Sequence, residues 1–229
     1  MKILLSIYSL GFYNRLRWML KSIEELSLKV DTNVSLWQDD PYYQNHIESF
    51  NVNLNKYNKE TFSQRHNCRN IDLQYAINNN YDYVCFLDSD LIFDKDFFSE
   101  LFEHDININK LTNVPRDTIV CSIDEMNNLV KEKEPDDICK FIKESYEIKN
   151  SGRCIGGGYF QMVSVQYCKE NDISYNGRDR SVYNKKGQKA YSDKNFRKNF
   201  DGVRKIRNMK NRIYHLHHEK GNYLEIGER

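Results

Sequence analysis

The chain has 229 residues, with 34 Lys and Arg against 33 Asp and Glu, a net charge of +1 and a pI near 7.6. That length can bury one large core or two small ones, and the even charge balance argues against a partner held through bulk electrostatics, nucleic acid and membrane surfaces included. Six scattered cysteines (Cys68, Cys85, Cys121, Cys139, Cys154, Cys168) contain no CxxC pair, which argues against a zinc ribbon or disulfide framework and for free thiols in a reducing compartment.

Residues 2–8 read as a buried strand. This opening run is too short for a signal-peptide core, and Arg15 and Arg17 follow with no small-residue cleavage site. No stretch approaches the ~18 apolar residues of a membrane span, so the expectation is a soluble, cytoplasmic protein with no transmembrane segment. Ser9-Leu10-Gly11 turns the chain. Leu16, Met19, Leu20, Ile23 and Leu26 then recur at helical spacing across 13–27. A second strand is read over 30–37, ending in Asp39-Asp40-Pro41. A weakly alternating third falls at 50–54, and a helix over 63–79 carries Cys68, Ile71, Leu73, Tyr75, Ala76 and Ile77.

Residues 83–87 are an unbroken apolar run, the pattern of a strand covered on both faces. It ends in Asp88-Ser89-Asp90, followed by Leu91-Ile92-Phe93. In an open α/β sheet the carboxyl edge of the strands is where ligands sit. Two carboxylates so close repel unless a cation joins them, and such oxygen ligands suit a hard divalent ion, Mg2+ or Mn2+, with positions left for phosphate oxygens. A polar turn at the strand end is the simpler account of the same residues.

Beyond it, a short helix is read at 95–103 and a strand at 117–123. Residues 124–149 are charged and helix-forming, broken at Pro135. They read as a surface excursion, either a lid or a solvated helical pair. Gly156-Gly157-Gly158 opens a strand running to 164, 174–190 is a polar, basic loop, 191–200 a short helix, and 212–216 a last strand ending in histidines. The alternation of strands and helices argues for an α/β fold with a Rossmann-like, mostly parallel sheet. The expected organisation is a single domain, 1–229, in which a nucleotide-sugar half (1–93) and an acceptor and catalytic half (94–229) share a sheet.

Several of these features, in order, resemble family 2 and related A-type (GT-A) glycosyltransferases: the first strand, turn and helix; the strand ending in Asp39-Asp40; Arg69-Asn70 before Phe86-Leu87-Asp88-Ser89-Asp90; the glycine-led strand; Tyr191-Ser192-Asp193-Lys194-Asn195-Phe196-Arg197; and His215-Leu216-His217-His218-Glu219-Lys220. The chain departs from the family in two places. Ser192-Asp193 stands where a Glu-Asp pair is usual, and a basic loop stands where a Trp or Tyr and a Gly usually precede that pair.

The resemblance implies a metal-dependent transferase moving a sugar from a nucleotide-sugar donor, a UDP-sugar, to a hydroxyl of a glycan, protein or other acceptor, with inversion. It implies Asp193 as general base and Asp90, with Asp88 nearby, holding Mn2+ or Mg2+. Asp88 would also reach the ribose, with Ser89 beside it. Asp39 or Asp40 would accept the uracil imide hydrogen, and Arg69 would touch the base or diphosphate. A further metal ligand would be His215 or His218. Three apart on an extended strand, they would face opposite sides, so one would ligate, and the resemblance favours His215. His217 reads as a packed or surface histidine. The basic loop (Arg178, Arg180, Lys185, Lys186, Lys189) is either a lid over the diphosphate or a solvated loop.

Two other readings stand beside this one. A sugar nucleotidyltransferase needs a glycine-rich phosphate loop after the first strand, and 9–15 holds a single Gly. A catalytically silent relative would bind the nucleotide or sugar without turnover. A hydroxylated base in DNA as acceptor has only the basic loop in its favour.

Overall fold

The computed structural model describes residues 1–9, 11–40, 43, 45–58, 61, 65–150, 159–175 and 192–218, without the side chains of Arg65, Ser192 and Lys194. The first half alternates: β1 (Ile3–Tyr8), α1 (Tyr13–Glu24), β2 (Asp31–Trp37), a 3-10 turn at Asn45–Ser49, β3 (Asn53–Tyr57), α2 (Arg65–Asn78) and β4 (Tyr83–Asp88). The second half runs β5 (Leu91–Phe93), α3 (Phe97–Leu101), β6 (Leu111–Asn113), β7 (Asp117–Val120), α4 (Ile123–Leu129), α5 (Ile138–Ser145) and β8 (Glu147–Lys149). It continues through β9 (Phe160–Ser164), α6 (Val165–Glu170), α7 (Ser192–Arg197), β10 (Val203–Lys205) and β11 (Ile213–His215).

Seven strands form the larger sheet, in the order β10-β6-β9-β4-β1-β2-β3. β9 runs antiparallel to both neighbours and the other pairings are parallel, so one strand is reversed. β1 and β4 lie at the centre and are covered on both faces, which is why their sequences show no polar alternation. Leu5, Ile7, Cys85 and Leu87 face one core with Leu16, Met19 and Leu20 of α1. Leu4, Val84 and Phe86 face the other with Leu73 and Ala76 of α2. From β1 the chain passes to β2 on one side, while β4 lies on the other. The crevice between their carboxyl ends is the switch point at which such sheets bind ligands, and there Tyr8 is paired with Asp88.

A smaller sheet, β5-β11-β7-β8, follows directly. Ser89 and Asp90 are the whole connection from β4 to β5, so the Asp-x-Asp segment is the hinge between the sheets. The last strand therefore joins this second sheet rather than the one shared by the two halves. The surface excursion read over 124–149 is also corrected. Met126, Val130, Ile138 and Ile142 are fully buried and close a third core with Trp18, Ile92 and Tyr214. Sparse apolar residues suffice because they fall at i, i+4 on each helix. α4 starts in a capping box, with Ser122 accepting from Glu125 N and the Glu125 carboxylate accepting from Ser122 N. No helix among the described residues is long and apolar enough to cross a membrane.

Candidate functional site

Asp90 sits where β4 gives way to β5 and is 6% exposed. β11 pairs antiparallel with β5, placing His215 opposite Leu91, and Leu216 N donates to the Asp90 carbonyl at 2.9 Å. Residues 125 positions apart are thereby brought side by side. His215 Nε2 lies 3.0 Å from Asp90 Oδ2, and His218 Nε2 lies 3.2 Å from the same oxygen. Both imidazoles thus converge, against the expectation that they face opposite sides. β11 ends at His215, so the two-residue period of a strand does not extend to His218. His217 turns away, its Nε2 3.0 Å from the Cys121 carbonyl oxygen.

The cluster fits a divalent ion. One ligand atom each from Asp90, His215 and His218 lie within 4.8 Å of one another. Asp90 Oδ1 is buried with no hydrogen-bond partner among the described residues, as expected of a ligand oxygen rather than a structural one. Burial by itself would raise the Asp90 carboxyl, but the two imidazoles outweigh it and hold the group well below the usual carboxylate range. A carboxylate with two imidazoles suits a transition-metal ion with open coordination positions.

A second cluster surrounds Asp193, in the first turn of α7. Arg69, from α2, is 1% exposed and donates to Asp193 Oδ1 at 2.6 Å, while its Nη2 lies 3.9 Å from Asp88 Oδ1. Its guanidinium also lies over the rings of Tyr175 and Phe86. The Tyr175 hydroxyl donates to the same Asp193 oxygen, and Gln161 Oε1 stands 2.9 Å from that hydroxyl. Arg69 therefore stands between the first acid of the Asp-x-Asp segment and the acid of α7. Both acids reach solvent, with side-chain exposures of 33% and 19%, so each can meet a ligand while Arg69 stays enclosed.

At the β2 edge, Asp39 is exposed, whereas Asp40 is buried and accepts from the Tyr13 hydroxyl at 2.6 Å. Burial first, and then Asp40, push the Tyr13 phenol well above its ordinary value. Ser89 is buried between the two acids. The glycine run 156–158, Pro41, Tyr191, Glu219, Lys220 and the basic loop lie outside the described residues.

Sequence reasoning missed Tyr175, Gln161, Phe12 and Arg15. Only Arg15 left a signal: it lies in the same helical stripe as Trp18, Met19 and Ser22, where a charge needs a buried partner.

No protein-family model matches the chain, and no curated protein matches it. Solved structures do. The crystal structure of S. aureus TarS 1-349 in complex with UDP-GlcNAc matches with a TM-score of 0.57 at 15% identity, over 99% of this chain and 61% of that one. S. aureus TarS 1-349 alone matches with a TM-score of 0.56 at 17% identity, over 94% and 60%. The same protein in complex with UDP gives 0.56 at 14%, over 93% and 60%. This chain thus spans about three-fifths of the length of these three structures. The shared fold is the A-type (GT-A) glycosyltransferase fold.

Proposed function

We propose that this chain is a metal-dependent glycosyltransferase that moves a sugar from a UDP-sugar to an acceptor hydroxyl. The observation that carries the reading is the convergence of Asp90, His215 and His218 at the carboxyl edge of a GT-A sheet, with Asp88, Arg69 and Asp193 ranged beside them. The S. aureus structures with UDP and UDP-GlcNAc support a uridine nucleotide as donor.

In this reading Asp90, His215 and His218 hold Mn2+ in preference to Mg2+, because imidazole is a poor ligand for the harder ion. The bound ion would supply Lewis-acid neutralisation of the diphosphate leaving group. Asp88 orients the ribose, and exposed Asp39, rather than the enclosed Asp40, takes the uracil imide hydrogen. Asp193 accepts the proton of the acceptor hydroxyl as its oxygen attacks the anomeric carbon. The bond from that carbon to the diphosphate oxygen breaks on the opposite side, and UDP leaves with the electron pair, inverting the centre. Arg69 acts by holding Asp88 and Asp193 in register rather than by contacting the donor.

The test is UDP release from a panel of UDP-sugars in the presence of a panel of hydroxyl acceptors, with and without Mn2+, by wild type and Asp193→Asn. Mn2+-dependent release that falls ~100-fold or more in the variant, with UDP binding retained, supports the reading. No release from any of the UDP-sugars by the wild type, with any of the acceptors, contradicts it.

A further inference from the structure

The strand ladder that delivers His215 stops there, yet His218 approaches Asp90 nearly as closely, at 3.2 Å against 3.0 Å. The start of α1 packs against His218 and the segment before it. The Phe12 ring, just before the helix, lies 4.6 Å from the His218 ring. One turn on, Arg15 is 0% exposed. Its Nε donates to the Leu216 carbonyl at 3.1 Å and its Nη2 to the His217 carbonyl, also at 3.1 Å. The same Nη2 donates to Asn127 Oδ1 of α4 at 2.7 Å. A guanidinium has five donors in a rigid fork, and here it takes two successive carbonyls of the segment that leads to His218.

We propose that Arg15 is a positioning residue for the metal site: it shapes the backbone 216–217 so that His218 reaches the ion, with Asn127 fixing the guanidinium from α4. This rests on the metal reading above. Metal-ligating side chains depend on such supports, and removing one weakens metal affinity by about 10- to 100-fold. The arrangement also gives α4 a part in the site, through Asn127.

The experiment is calorimetric titration of Mn2+ alone into wild type, Asp90→Asn, Arg15→Met, His218→Ala and the Arg15→Met/His218→Ala double variant. Wild type is expected to bind, Asp90→Asn to lose binding, and Arg15→Met to bind ~10-fold more weakly. If Arg15 acts through His218, the double variant binds no more weakly than His218→Ala alone. A merely structural role for Arg15 would instead add its penalty in both backgrounds, and that outcome overturns the proposal. Unchanged affinity in Arg15→Met, with Asp90→Asn still defective, overturns it while leaving the metal reading intact. A wild type that binds no Mn2+, or binds it equally after Asp90→Asn, removes the metal reading and the proposal together. If Arg15→Met fails to fold by circular dichroism, Asn127→Ala decides. It is expected to weaken binding about fivefold, the effect of one hydrogen bond, and only while His218 is present; no change overturns the proposal.

Discussion

At Asp90 burial opposes charge, and the two imidazoles that converge on one of its oxygens, with Arg116, hold its carboxyl well below the usual carboxylate range. Its other oxygen has no protein partner among the described residues, an arrangement that a cation would complete. Glu25, at the end of α1, shows the opposite balance. Burial pushes its carboxyl up to about 7, with Asp137 adding to the effect against Lys21 and the Ile138 backbone. Well below pH 4.5 the group is protonated in both folded and unfolded chains and has no effect. As pH rises toward 7 the unfolded chain releases the proton first, so the fold loses stability, and above 7 the full cost is present. Glu25→Gln should therefore raise stability by ~1 kcal/mol at pH 8, after allowance for solvent screening, and by almost nothing near pH 4. Denaturant melts at the two pH values check this, and an equal gain at both would contradict it.

At the scale of elements, the pair α4 and α5 matters most. Ile142, 0% exposed, closes the third core from α5. Ile142→Ala should cost ~3 kcal/mol, a fall of roughly 6–12 °C in Tm for a chain of this size, whereas a solvated helix would barely register the change. This is the region the sequence conveyed least well. Its apolar residues are few, and a low density of them looks like a wet surface until their partners, Trp18 and Tyr214, are known. The short strands β6, β8 and β10 were likewise illegible, since three residues carry no period to read. β3 came out at Asn53–Tyr57 rather than 50–54 because Phe50 and Val52 pack on the core before the ladder begins. The central strands were plain, because burial on both faces writes itself as an unbroken apolar run.

For the whole molecule, the two sheets meet at Ser89-Asp90, and the chain's last described strand returns to that point. A carboxylate pair at a strand end could be read from the sequence, and so could an α/β fold. The reach of both histidines to one carboxylate could not, because it depends on the chain leaving its strand after His215. Nor could the placement of Arg69 between Asp88 and Asp193, which depends on α2 and α7 packing on the same face of the larger sheet around Phe86. Arg69→Ala should impair transfer more than donor binding, since Asp193 loses an ion pair at 2.6 Å while Asp88 loses only a contact at 3.9 Å and Asp90, His215 and His218 stay in place. A fall in kcat of ~10-fold or more with KM for the donor changed less than threefold is expected, and the reverse pattern would return Arg69 to the donor pocket.

In the proposed reading Asp90 would anchor a metal ion that helps to hold the nucleotide. The most direct test is calorimetric titration of UDP, with and without Mn2+, into wild type and Asp90→Asn. UDP binding that requires Mn2+ in the wild type and is lost in the variant is expected. UDP binding that is indifferent to Mn2+, or that survives Asp90→Asn unchanged, would contradict it and return the Asp-x-Asp segment to the role of a turn between two sheets.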